Sequence, residues 1–158
     1  MKKFLPLIVG LVLLSCEKDG KKPVERNTVG EWKFVHAKFN PSDSFKKEDR
    51  TAEYRDHRIV LTDDAQVYYE VDERSETYSG WWEIEYVEEE EIDEGGDCYT
   101  TTVTYFRMHL VNDFTKTAKD ISWSGFYASK KRMRGYQHHS DGVTYFVLMR
   151  DNQMVRKL

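Results

Sequence analysis

Cysteine is nearly missing from this chain: Cys16 and Cys98 are the only two in 158 residues. At most one internal disulfide is possible, so packing must hold the fold together. Proline is as scarce, at three, and glycine numbers nine, which leaves little to break regular elements. No apolar run reaches the length that spans a bilayer as a helix; the longest, Phe4 to Leu14, is too short. Also missing are a Gly-x-Ser-x-Gly elbow, a phosphate loop, a dinucleotide fingerprint and the His and Glu spacings of zinc hydrolases. His138 and His139 are adjacent, so on a strand their rings point to opposite faces and cannot share a metal. The acidic run from Glu88 lacks the Asp-x-Asp-x-Asp-Gly spacing of a calcium loop. These absences predict no catalytic residue, metal site or cofactor.

What is abundant is aromatic. Ten Tyr, eight Phe and four Trp make up 14% of the chain, beside 33% charged residues. That is too aromatic for a disordered chain and favours strands over helices. The length suits one domain.

Met1-Lys2-Lys3 followed by Phe4 to Leu14 has the build of an export leader. It ends in Leu13-Leu14-Ser15-Cys16, which resembles the bacterial lipobox. The resemblance implies cleavage after Ser15 and a diacylglyceryl thioether on Cys16. An ordinary secretory leader with Cys16 incidental is the alternative. Removing residues 1–15 takes away Lys2 and Lys3, leaving 22 basic against 28 acidic residues, a net charge of −6. That sign argues against nucleic acid and anionic head groups as partners, so the acyl chains must do the anchoring. With Cys16 acylated, Cys98 has no partner and is expected to be a buried, inert thiol. Glu17-Lys18-Asp19 partly resembles the export signal of Bacteroidetes surface lipoproteins. The expected address is the outer membrane, facing the periplasm or the surface.

The organisation that follows is a leader at 1–15, a flexible tether at 16–28, a domain at 29–150 and a polar tail at 151–158. The domain's first strand, Val29 to Phe39, places Trp32, Phe34 and His36 on one face by alternation. Asn40 to Asp56 is charged and holds either a short helix or a mobile flap. Strands are expected over His57 to Thr62, Gln66 to Asp72 and Tyr78 to Glu89, the last with Trp82, Ile84 and Tyr86 in phase. Glu88 to Asp97 reads as an acidic loop. Cys98 to Val111 is apolar on both faces, which a bulge would reconcile. Asp120 to Tyr127, Arg132 to His138 and Val143 to Arg150 complete eight strands, the last two joined at Ser140-Asp141-Gly142. Eight short-linked strands predict an all-β, antiparallel up-and-down barrel.

Gly30-Glu31-Trp32 on the first strand and Tyr145 to Arg150 on the last are similar to the lipocalin-like lipoproteins of Bacteroidetes. In lipocalins a Gly-x-Trp packs under a basic side chain from the final strand. The resemblance therefore implies a structural trio of Gly30, Trp32 and Arg150. The ligand-lining residues expected are His36, Trp82, Ile84, Tyr86, Phe106, Met108 and Trp123, around a small apolar or amphipathic molecule in a monomer. The other reading is a filled barrel that binds an envelope protein through Trp81, Tyr68 and Phe126. An enclosed interior cavity of about 300 Å³ or more favours the first, and an occupied interior without one favours the second.

Overall fold

Alternating burial runs along almost every strand, as a sheet with one face on a core requires. In β4 (Gln66–Val71), for example, Val67, Tyr69 and Val71 are buried while Gln66 and Tyr68 are exposed. A computed structural model describes residues 22–71 and 76–151. Cys16, the leader and the tail beyond 151 lie outside the described residues.

The remaining strands are β1 (Gly30–Pro41), β2 (Glu48–Asp49), β3 (His57–Leu61), β5 (Glu76–Ile92), β6 (Cys98–Asn112), β7 (Ala118–Ala128), β8 (Arg132–His139) and β9 (Gly142–Arg150). Each of the eight long strands pairs antiparallel with the next, and β9 returns to β1 from Trp32↔Arg150 to Pro41↔Gly142. The result is a closed eight-stranded antiparallel barrel, with the two-residue β2 as an addition on β1. Closure leaves no long edge around the wall itself.

Two irregularities set which side chains face inward. The β1–β9 register shifts between Phe34 and His36, so the buried series changes from Trp32 and Phe34 to Ala37 and Phe39. A second shift, between Ser124 and Tyr127, surrounds Gly125 at φ +56° and turns Phe126 and Ala128 inward after Ile121 and Trp123. Both add the local bend that wrapping a sheet demands.

The closed end carries a helix rather than tether. Pro23–Thr28 forms α1, whose Val24 packs on the core and whose Thr28 is fully buried. Six residues with a single buried position are too short to show a period in sequence, and it is the barrel that holds them helical. Trp32 Nε1 donates to the Thr28 carbonyl at 2.8 Å. Arg150 donates to the carbonyls of Asn27 and Val29, each at 2.8 Å, and of Lys130 at 2.7 Å. Its guanidinium carbon lies 4.5 Å from the centre of the Trp32 ring. One side chain thus satisfies carbonyls at the end of α1 while stacking on the floor of the barrel. Gly30 makes room: its φ is +141°, and a Cβ there would strike the Arg150 guanidinium.

The largest departure from expectation is the β5–β6 hairpin. Its pairing continues without a shift from Tyr78↔Asn112 to Ile92↔Cys98, so no bulge is needed. β4 pairs with β5 only as far as Trp81, and β7 pairs with β6 only as far as Phe106. Beyond those points the two strands leave the barrel as a free ribbon on the α1 side. Its outer part is exposed on both faces, which explains the mixed apolar phase of β6 there, whereas nearer the root Ile84, Tyr86 and Val87 are half-buried, Tyr86 under the Lys22 ammonium. Glu88 to Ile92 belong to strand, and the loop shrinks to the turn around Asp93, whose Oδ1 accepts from the amides of Gly95 and Asp97. The glutamates stay extended because hydroxyls face them. Tyr99 donates to Glu91 at 2.6 Å, Tyr105 to Glu89 at 3.0 Å, and Thr101 to Glu91 at 3.3 Å. Cys98, expected to be buried, is exposed at the far end of this ribbon.

Those hydrogen bonds hold the Tyr99 and Tyr105 phenols above their ordinary range, the bond to Glu91 or Glu89 being the main cause in each. A raised pKa means the folded ribbon prefers the protonated phenol. The contribution is therefore complete below about pH 10 and is lost as pH rises through the raised values. A tyrosinate absorbance titration of Tyr99→Phe should show one late-titrating phenol fewer than the unaltered protein, while those of Tyr105, Tyr69, Tyr54 and Tyr86 remain.

Candidate functional site

At the end opposite α1, inward-facing residues of β3, β4, β5 and β7 leave a pocket of about 440 Å³, open to solvent at the mouth. Its wall comes from Tyr69 and Val71 on β4, Glu76 and Tyr78 on β5, His57 on β3 and Lys119 on β7. The second short helix, α2 (Thr51–Tyr54), lies over one side and contributes Glu53 and Tyr54. The Arg50 amide is bonded to the Ala37 carbonyl, and the Thr51 hydroxyl accepts from the Ala37 amide at 3.0 Å, fixing α2 to β1. The charged segment after β1 therefore ends in a short helix.

Three tyrosines dominate the pocket. Tyr69 OH lies 2.6 Å from His57 Nδ1, and Tyr78 OH donates to Glu76 at 2.9 Å. Tyr54 packs on Phe34 and Phe146 at ring separations of 5.4 and 4.9 Å. Burial is the chief reason the Tyr69 phenol is pushed far up, and it raises Tyr54 as well, so both are neutral donors at ordinary pH. The Lys119 ammonium stands about 6 Å from the Tyr69 and Tyr78 rings and has no carboxylate partner among the described residues.

Tyr54, Tyr69 and Lys119 also bound a smaller space of about 60 Å³ directly below, walled by Phe34, Ile59, Met108 and Phe146. Trp123 forms part of its floor, with its indole Nε1 bonded to Gln137 at 3.3 Å. The site thus grades from polar at the mouth to apolar beneath, with Lys119 the one charged side chain that reaches both levels. The lower barrel is filled by its own side chains, led by Trp32, Phe106 and Trp123.

Of the lining residues expected from sequence, Met108 and Trp123 border the lower space. Trp82 and Phe106 are buried farther down, with Trp82 Nε1 tied to the Thr62 carbonyl at 3.2 Å. Three need correction or relocation. His36 lies on the outer wall beside Tyr145, because the bulge at Val35 reverses the phase of β1. Tyr86 sits on the ribbon beneath the ammonium of Lys22, past the point where β4 ends. Ile84 is only partly buried at the root of that ribbon. Trp81 and Tyr68 are exposed, with Trp81 stacked on His109 at 3.8 Å, whereas Phe126 faces the core against Phe106. Missed altogether was the lining of the mouth itself: Tyr54, His57, Tyr69, Val71, Glu76, Tyr78 and Lys119, with Glu53 beside them. His57 and Tyr78 did carry a signal, being in phase with Ile59 and with Trp82. Lys119 gave none, since a lysine at a strand start reads as solvent.

No protein-family model, curated protein or solved structure matches this chain. Among the described residues, no group of three or more His, Cys, Asp or Glu is placed to hold a metal ion.

Proposed function

We propose that the chain is a lipid-anchored envelope protein of the lipocalin-like kind, whose barrel holds a small amphipathic molecule at its mouth. The observation that carries the binding reading is the pocket itself. It offers about 440 Å³ lined by three tyrosines and a lysine above an apolar floor, and ligand sites are commonly concave, aromatic and equipped with few polar groups. An apolar end would descend between Tyr54 and Tyr69, and a polar end would stay with Lys119, Glu76 and His57. The lipobox-like Leu13 to Cys16 supports anchoring at the outer membrane. With α1 at the closed end and the anchor preceding it, the mouth would open away from the bilayer.

The filled lower barrel and the exposed Trp81 and Tyr68 favour the second reading, a protein-interaction module without a ligand. Titration with 8-anilinonaphthalene-1-sulfonate, an aromatic amphipath, separates the two. The first reading expects dye fluorescence to rise on binding, and Val71→Trp, which fills the pocket, to weaken it about tenfold or more, a change of about 1.4 kcal/mol. Absence of binding, or equal binding to Val71→Trp, favours the second.

A further inference from the structure

We infer that the free edge of β6, from Cys98 to Tyr105, is a docking site for an extended, basic segment of another polypeptide, which adds to the ribbon as a further strand. The inference is independent of the mouth pocket.

The first ground is the edge itself. β6 pairs with β5 along its whole length but meets β7 only from Phe106 onward. Over Cys98 to Tyr105 the backbone groups turned away from β5 have no strand partner among the described residues. Folded proteins usually blunt such edges with charge, proline, a bulge or a covering element. Here the sequence reads Cys-Tyr-Thr-Thr-Thr-Val-Thr-Tyr, with no charge, proline or glycine, and its register with β5 has no bulge. β-Branched and aromatic residues give it high strand propensity. An incoming strand would find both a hydrogen-bonding template and flat side-chain rows on either face.

The second ground is charge, which selects the occupant. Glu88 to Glu91, Asp93, Glu94 and Asp97 crowd the strand and turn next to this edge. The hydrogen bonds these carboxylates accept are from Tyr99, Tyr105, Thr101 and backbone amides. Arg107 pairs with Glu85 at 2.6 Å and His109 approaches Glu83 at 3.9 Å, both near the ribbon's root, and no lysine or arginine among the described residues pairs with the carboxylates farther out. A strand added beside β6 would lie about 10 Å from β5, a gap that a lysine and a glutamate side chain bridge together. A second copy of this chain would bring the same carboxylates to the same sheet, and like charges oppose that pairing. A lysine-rich or arginine-rich strand meets both requirements, hydrogen bonding and charge.

The test uses the protein with two peptides of equal length and charge, one alternating lysine with valine and one alternating lysine with proline. The first can form a strand; the second cannot donate at alternate positions and is held in another conformation. The expected result is binding of the lysine–valine peptide at least about tenfold tighter than the lysine–proline peptide, with slowed amide exchange confined to Tyr99 to Tyr105. Thr101→Lys with Val103→Lys, both outside the barrel wall, should abolish that difference while the Trp fluorescence of the barrel stays unchanged. Equal affinity for the two peptides would reduce the effect to charge alone and overturn the inference. So would sedimentation as a dimer whose edge amides are already protected without peptide.

Discussion

Replacing Arg150 with alanine should cost about 3 kcal/mol of stability, the summed loss of charge-assisted hydrogen bonds and a ring contact discounted for partial exposure. Three carbonyls, from Asn27, Val29 and Lys130, lose their donor together. At the same time the face of Trp32 loses its covering guanidinium. Lysine at this position keeps the charge but not the fork, so Arg150→Lys should recover less than half of the loss. Gly30→Ala should be nearly as damaging, because its Cβ occupies the space of the guanidinium and its φ of +141° disfavours any side chain. The informative variant is the double mutant. If Gly30 matters because Arg150 lies on it, Gly30→Ala adds little once Arg150 is alanine. Chemical denaturation of the four proteins measures this, and additive losses would mean the two residues act separately.

Trp123→Ala should cost about 4 kcal/mol, within the range for deleting a large buried aromatic. Its ring touches four others: Phe34 and Phe146 across the barrel, and Phe106 and Phe126 beside it, at centroid distances from 5.4 to 6.5 Å. It also walls the small space under Tyr54 and Tyr69. The deletion therefore joins the vacated volume to the mouth pocket, and a longer apolar ligand should gain depth even as the fold loses stability. Trp123→Phe, which retains most of the volume, should cost about 1.5 kcal/mol or less. A thermal melt gives the stability, and the dye titration gives the change in affinity. A large stability loss with unchanged binding would show the lower space to be sealed from the mouth.

The strand pattern of this chain was open to reading because its period of two is local. β3, β4, β8 and β9 lie within a residue or so of the ranges that alternation gives. The eight-strand count followed from short turns, and closure followed from the count. What escaped depended on events that composition does not register. A single extra residue at Val35 sends His36 outward, and another at Gly125 brings Phe126 inward; a bulge leaves no mark in an alternating pattern beyond one position out of phase. The projecting ribbon escaped for another reason. Glu88 to Glu91 look like loop because like charges repel, and only the cross-strand register shows Thr100 to Thr102 and Tyr99 facing them. The pocket was legible in part. Tyr69 and Tyr78 are adjacent across β4 and β5, and both sat on apolar phases, but which phase residues line a space and which fill it depends on depth. Trp82 and Phe106 lie low and fill the barrel, whereas His57, Tyr69 and Tyr78 lie at the rim. Depth along a barrel is a property of register, not of any single strand.

The most direct test of a ligand-holding mouth is to map amide and indole chemical-shift changes by NMR as the naphthalene dye is added. A ligand held at the mouth gives shifts concentrated at Tyr54, His57, Tyr69, Val71, Tyr78 and Lys119, with the Trp123 indole responding and the Trp81 indole silent. Shifts clustered instead around Trp81, Tyr68 and His109 on the outer wall, with the mouth unmoved, would contradict it.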